Sequence, residues 1–313
     1  MSGCLLRPRS VPRGSTIGVC APAGPVEADV VEAGIGWLEG EGYQVRCAPG
    51  LKSRNGYLAG SDEERCADLM GLLRDPEVRA VFAARGGYGA GRFLRTLDPR
   101  EVRAARTAFV GYSDATALQL FLREQAGLAS IHGPMLERSD AAPAARRRLL
   151  ALLRGDPQAL DPIEGEGLVG GTATGPLVGG NLKVVAASLG TPWEIDTRGA
   201  ILFLEDVNEP PYAIDRALVQ LREAGKLAPL AGVALGQLVC CESDRYPEVS
   251  ARDVFQDVLL PEVSGPVVVD LPFGHVADHR ALGVGIRGRI DGDRGTLALA
   301  EPVVEDTALE GVD

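Results

Sequence analysis

Short apolar runs alternate with longer amphipathic stretches through the first half of the chain. Thr16–Cys20 is a β-type run ended by the turn Pro22-Ala23-Gly24-Pro25. From Ala28 to Glu41, Val30, Val31, Ile35 and Leu38 recur at helical spacing, and Gly42 stops the pattern. Tyr43–Cys47 predicts a second strand. Ser61 with Glu64 forms a capping box for a helix through Leu73, which must end before Asp75-Pro76. Val78–Ala84 predicts a third strand, followed by the glycine-rich loop Arg85–Gly91; Ala108–Tyr112 predicts a fourth strand and Asp114–Gln125 a helix. Strands that alternate with helices imply an α/β fold with a parallel sheet covered on both faces.

The alternation then pauses. Ala141–Leu153 predicts a helix, but Gly155 to Gly171 holds Pro157, Pro162 and several glycines without periodicity, and reads as a linker. Beyond it, strands are predicted at Ile201–Glu205, Val233–Val239 and Val267–Leu271, with helices near Ala213–Ala224 and Ala251–Leu260. Leu282 to Ala300 alternates short apolar runs with Gly and Asp, the pattern of a small antiparallel meander. The expected organisation is an N-terminal unit over 14–138, a connecting helix and linker over 139–171, and a C-terminal α/β unit over 172–305.

Composition narrows the function more than the fold. A chain of 313 residues exceeds one average domain and suits two. The net charge is −11 with no long basic run, which argues against nucleic acid and anionic membrane as partners. The longest uncharged stretch, Gly167 to Leu182, is short of the roughly 20 apolar residues a membrane span takes. Arg7, Arg9 and Arg13 near the start are followed by no signal-peptide core, so a cytoplasmic location is expected. The six cysteines form no C-x-x-C pair and read as buried reduced thiols. With only His132, His275 and His279 available, no metal site and no cofactor are expected.

The sharpest local signal is Phe109-Val110-Gly111-Tyr112-Ser113-Asp114, a strand that runs through Gly-x-Ser directly into a helix. That is the layout of a nucleophile elbow, which lifts a serine hydroxyl out at the sheet edge. The same spacing fits a serine that only caps a helix. The N–H of Asp114, with N–H groups of the Gly86–Gly87 region, can form an oxyanion hole, and Arg85 can hold a substrate carboxylate. The glycine loop matches neither a Walker loop nor G-x-G-x-x-G. Downstream, the adjacent acids Glu205 and Asp206 end one strand and His275 follows another through Pro272-Phe273-Gly274. A carboxylate and a histidine at strand ends can orient and supply a base for a serine. His279, in the polar stretch Ala277-Asp278-His279-Arg280, is expected in a solvated loop and dispensable.

Arg85-Gly86-Gly87-Tyr88-Gly89, Gly111-Tyr112-Ser113-Asp114, His132-Gly133-Pro134-Met135, Gly179-Gly180-Asn181-Leu182, Leu204-Glu205-Asp206 and Pro272-Phe273-Gly274-His275 occur in the order of the LD-carboxypeptidase family. The chain resembles those serine peptidases of bacterial murein recycling from about Thr16 to Ala300. The resemblance implies an N-terminal doubly wound domain carrying Ser113, the nucleophile. It implies a C-terminal domain carrying Glu205, the acidic member, and His275, the base, and a homodimer. Gly87 and Asp114 are the expected oxyanion donors, and Arg85 and Asn181 the expected substrate contacts. The implied substrate is a small peptide, murein tetrapeptide, cleaved before its terminal D-alanine. A second activity in the family, microcin C immunity, cleaves a peptidyl or aminoacyl nucleotide; the lack of a long insertion near Cys240–Val249 leans toward the murein enzyme. A non-catalytic binding protein would keep the glycines without needing Ser113, Glu205 and His275 together. A class I amidotransferase would place cysteine where Ser113 stands.

Overall fold

In the computed structural model, which describes residues 5–138 and 140–306, two sheets meet at their carboxyl edges. The first half of the chain gives β1 (Thr16–Cys20), α1 (Ala28–Gly40), β2 (Gln44–Cys47), α2 (Asp62–Arg74), β3 (Val78–Ala83), α3 (Pro99–Ala105), β4 (Ala108–Gly111), α4 (Thr116–Phe121) and β5 (Ser130–His132). After α5 (Pro143–Arg154) come β6 (Ile163–Glu164), β7 (Glu166–Val169), β8 (Thr172–Asn181), α6 (Leu182–Ala187), β9 (Ile201–Val207), α7 (Pro211–Glu223) and β10 (Gly232–Val239). The chain closes with α8 (Ala251–Val258), β11 (Val267–Val269), β12 (Leu282–Val284), β13 (Arg287–Asp291) and β14 (Thr296–Leu299).

The first sheet has the order β12-β5-β4-β3-β1-β2, parallel except for β12. This is a doubly wound order, whose binding crevice lies outside the carboxyl ends of the strands where the winding reverses, here between β1 and β3. The second sheet has the order β6-β14-β13-β8-β9-β10-β11-β7, with β8 to β11 parallel and its flanks antiparallel. The expected α/β class, with an antiparallel element toward the end, is what the chain adopts.

Three local expectations need correction. The stretch expected as a linker supplies β6 and β7, one on each edge of the second sheet. Edge strands this short, interrupted by Gly165, carry no readable period. The expected terminal meander is split: β12 pairs antiparallel with β5 of the first sheet, while β13 and β14 form a hairpin on β8. The helix expected from Asp114 opens as a tight turn over Ser113–Ala115, becomes regular in α4, and widens into a π-turn over Leu122–Ala126. Cysteine burial is also mixed: Cys20 and Cys241 are buried, Cys66 is half-buried, and Cys47 and Cys240 are exposed; Cys4 lies outside the described residues.

One apolar cluster runs through both sheets, joining Ile17, Phe82, Val110 and Ile131 to Leu177, Phe203, Phe273 and Ile290. The carboxyl edges are therefore held by shared packing as well as by the chain. Among the described residues, five that are not glycine take positive φ, and four of them stand where a parallel strand has just ended: Ser113, Asn208, Cys240 and Asp270, with φ from +53° to +59°. Each such residue stores about 1–3 kcal/mol of strain. No described helix is long and apolar enough to cross a membrane.

Candidate active site

Ser113 follows β4 with φ +59°, while Tyr112 before it is extended at φ −155°. This reversal turns the serine off the strand at the first helical turn. The cap position falls on Tyr112 rather than Ser113, so the serine is inside the turn and not its cap. The Asp114 carboxylate accepts the Ala90 N–H at 2.8 Å, and burial raises its pKa. Thus the elbow and the glycine loop form one unit.

Glycine lets that loop reach the serine. A Cβ on Gly86 would lie 2.9 Å from both Cβ and Oγ of Ser113. The turn after β1 braces the loop from behind: Gly24 N–H donates to Gly86 O at 2.8 Å. Gly87 takes φ +94°. Arg65, 1% exposed, donates from Nη1 to Pro22 O at 2.6 Å and Gly89 O at 2.7 Å. The Arg85 guanidinium pairs with Glu137 at 3.2 Å and donates to Pro25 O at 2.8 Å. Glu137 also receives the Gly86 N–H at 3.5 Å, and burial raises its carboxyl pKa. Arg85, next in the chain to Gly86, therefore has its charge already matched by Glu137.

From the second sheet, β9 points its two adjacent acids to opposite sides. Glu205, fully buried, sets Oε2 2.7 Å from His275 Nδ1. Asp206 accepts from Asn181 Nδ2 at 2.8 Å, from the Lys183 N–H at 3.1 Å and from the Val207 N–H at 2.9 Å. Burial pushes the Asp206 carboxyl up to about 6. Asn181 has a structural role: its Oδ1 caps α6 through the Val184 N–H at 3.2 Å, and it is 5% exposed. His275 arrives after β11 by way of Gly274, at φ +108°, where a Cβ would lie 2.9 Å from Glu205 Oε2. The Pro-Phe-Gly turn is thus shaped around the carboxylate.

The ring of Tyr112 connects the two edges, 4.8 Å from the ring of His275. It lies equally close, 4.8 Å, to His279. Here the expectation of a solvated His279 fails: the residue is 1% exposed and faces His132. The polar residues around it misled, because Asp278 and Arg280 pair with each other at 2.7 Å on the outside and turn the ring between them inward. The roles of Arg65, Glu137, Tyr112 and His132 also went unassigned in the sequence; Tyr112 and His132 stood inside recognised motifs, but only contacts across the sheets give them a task. Among the described residues, no three His, Cys, Asp or Glu side chains gather as a metal site would require.

A strained serine on one sheet edge and a carboxylate-bound imidazole on the other are the parts of an acyl-transfer site. The family comparisons agree with that class. The LD-carboxypeptidase N-terminal domain matches residues 17–133 and the LD-carboxypeptidase C-terminal domain residues 174–290. The chain belongs to the LD-carboxypeptidase family and is a peptidase. It is 37% identical to a probable murein peptide carboxypeptidase of Bacillus subtilis, over 97% of each chain. It is 33% identical to a murein tetrapeptide carboxypeptidase of Pseudomonas aeruginosa, over 89% of this chain and 94% of that one. Among solved structures, muramoyltetrapeptide carboxypeptidase from Oxalobacter formigenes aligns with a TM-score of 0.80 at 31% identity, covering 91% of this chain and 98% of that one. The microcin C7 self-immunity protein MccF shares the fold, with a TM-score of 0.85 at 20% identity over 96% of this chain and 100% of that one.

Proposed function

We propose that the protein is a serine-type LD-carboxypeptidase that releases the terminal D-alanine of murein tetrapeptide, with Ser113 as nucleophile, His275 as general base and Glu205 as the acid that orients it. The observation that carries this reading is the 2.7 Å Glu205–His275 bond, packed through Tyr112 against the turn that holds Ser113. With Nδ1 committed to Glu205, the other ring nitrogen of His275 takes the proton from Ser113 as it attacks the scissile carbonyl. Glu205 fixes the tautomer and stabilises the imidazolium. The N–H groups of Asp114 and Gly87 receive the oxyanion, since the Gly86 N–H already faces Glu137; one such donor typically supplies about 2.7–4 kcal/mol. His275 then protonates the departing D-alanine, and water resolves the acyl-enzyme. Arg85 is the proposed anchor for the free carboxylate, exchanging Glu137 for the substrate. The names of the murein-specific relatives support the substrate. The reading carries with it a cytoplasmic homodimer.

The test is turnover of a synthetic tetrapeptide ending in D-alanine beside its L-alanine counterpart and an aminoacyl-nucleotide analogue. Release from the D-peptide alone is expected. Turnover of the nucleotide analogue alone would move the protein to the immunity activity, and turnover of none would sink the assignment.

A further inference from the structure

All three histidines of the chain meet around Tyr112, and the proposed mechanism uses only His275. His132, at the end of β5, and His279, on the loop after β11, are 0% and 1% exposed. His132 Nδ1 and His279 Nε2 stand 3.2 Å apart, and the bond joins positions 147 residues distant in sequence. Burial lowers the His132 pKa to about 4 and holds His279 well below the ordinary imidazole range. Both rings are neutral at pH 7, each with one donor and one acceptor, which suits a single directed bond.

The two ends of this bond belong to the two halves of the site. His132 pairs in register with Gly111, two residues before Ser113. His279 shares its loop with His275. Tyr112 fills the space between, 4.8 Å from His275, 4.8 Å from His279 edge-on at 87°, and 6.0 Å from His132. Its hydroxyl accepts from Arg138 Nη1 at 3.2 Å. A nucleophile and its base must come within about 2.6–3.2 Å, and here they arrive from different sheets. Their separation needs a fixed contact between the sheets close to both.

We propose that the His132–His279 hydrogen bond, acting through the ring of Tyr112, is the tie that holds the base in place against the nucleophile. His132, His279 and Tyr112 are then positioning residues. A neutral pair suits this place, because a charge so close would oppose the imidazolium that His275 forms. The proposal rests on the assignment of Ser113 and His275.

The test compares His279→Ala, His279→Gln, His132→Ala and the double alanine variant. Two readouts are taken on protein shown to be folded by circular dichroism: kcat and KM on the tetrapeptide, and the low-field proton resonance of the His275–Glu205 hydrogen bond. For His279→Ala, kcat is expected to fall about 10–100-fold, the size of loss that small misplacements cause, with KM within about twofold. Its low-field resonance should broaden. His279→Gln, whose amide nitrogen replaces Nε2, should recover most of both. The double variant should be no worse than the poorer single one, because both remove the same bond. An unchanged resonance with kcat within twofold in His279→Ala overturns the tie, and so does strict additivity in the double variant. The resonance is readable whether or not the tetrapeptide is a substrate, so failure of the substrate assignment is seen separately.

Discussion

His275 and His279 lie four positions apart on one loop, each 4.8 Å from the same tyrosine ring, yet they have opposite surroundings. The imidazole of His275 keeps 17% of its side-chain surface and holds a carboxylate at 2.7 Å. His279 is sealed in and faces another imidazole at 3.2 Å. Burial first, and the neighbouring His132 second, hold His279 well below the ordinary imidazole range, whereas Glu205 gives His275 a carboxylate on one ring nitrogen and leaves the other facing out of the pair. Burial and partner together separate the two rings: His279 is sealed against an imidazole, and His275 keeps an exposed edge and a carboxylate.

The largest expected effect tests this contrast at its active end. His275→Ala should lose about 10⁴-fold or more in kcat, as removal of a triad base does. A milder loss than in His279→Ala would reverse the assignment. Glu205→Gln keeps the shape but offers the wrong hydrogen-bonding group, and about 10⁴-fold is expected from steady-state kinetics. Near-normal turnover there would mean that the carboxylate is structural. Gly86→Ala puts a methyl 2.9 Å from the serine oxygen. It should cost about 10²–10³-fold, comparable with loss of an oxyanion donor, with an unchanged circular dichroism spectrum. Activity within threefold would show that the loop can retreat.

The smallest effect concerns the buried end of the contrast. His132 has a folded pKa of about 4 against 6.5 unfolded, so the unfolded chain binds the extra proton first. Stability from this residue is full above pH 6.5 and falls by about 3 kcal/mol as pH drops to 4. Asp206, raised to about 6, contributes with the opposite sign over much of that range. The informative quantity is therefore a difference. In urea unfolding, His132→Asn should gain on the wild type as pH falls from 7 to 4. Parallel curves would mean that His132 is charged or hydrated in the fold.

The elements that a local pattern specifies were legible in the sequence. The capping box of Ser61 and Glu64 forms as read, with the Glu64 N–H on Ser61 Oγ at 3.1 Å. Strands β1 to β4 begin and end within a residue of the stretches read for them, whereas β5, three residues long, was not read as a strand. Edge strands β6 and β7 were not legible, because two to four residues beside glycine carry no period. Nor was the departure of β12 to the other sheet, a choice made by pairing with β5. At the site, the serine turn and the Pro-Phe-Gly-His turn are local motifs and could be read. The pairing of Arg85 with Glu137 and the meeting of His279 with His132 depend on contacts 52 and 147 residues away in the chain, whereas the Asn181 cap, three residues from Val184, is as local as the Ser61 cap and went unread.

Whether Ser113 is the attacking group is decided by D-alanine release from tetrapeptide by folded Ser113→Ala. The serine lies inside its turn rather than capping it, so the substitution should leave the fold and stability nearly unchanged. The wild type should release D-alanine, and the variant should be slower by at least about 10⁴-fold. A folded Ser113→Ala protein that releases D-alanine at a near-normal rate would contradict it.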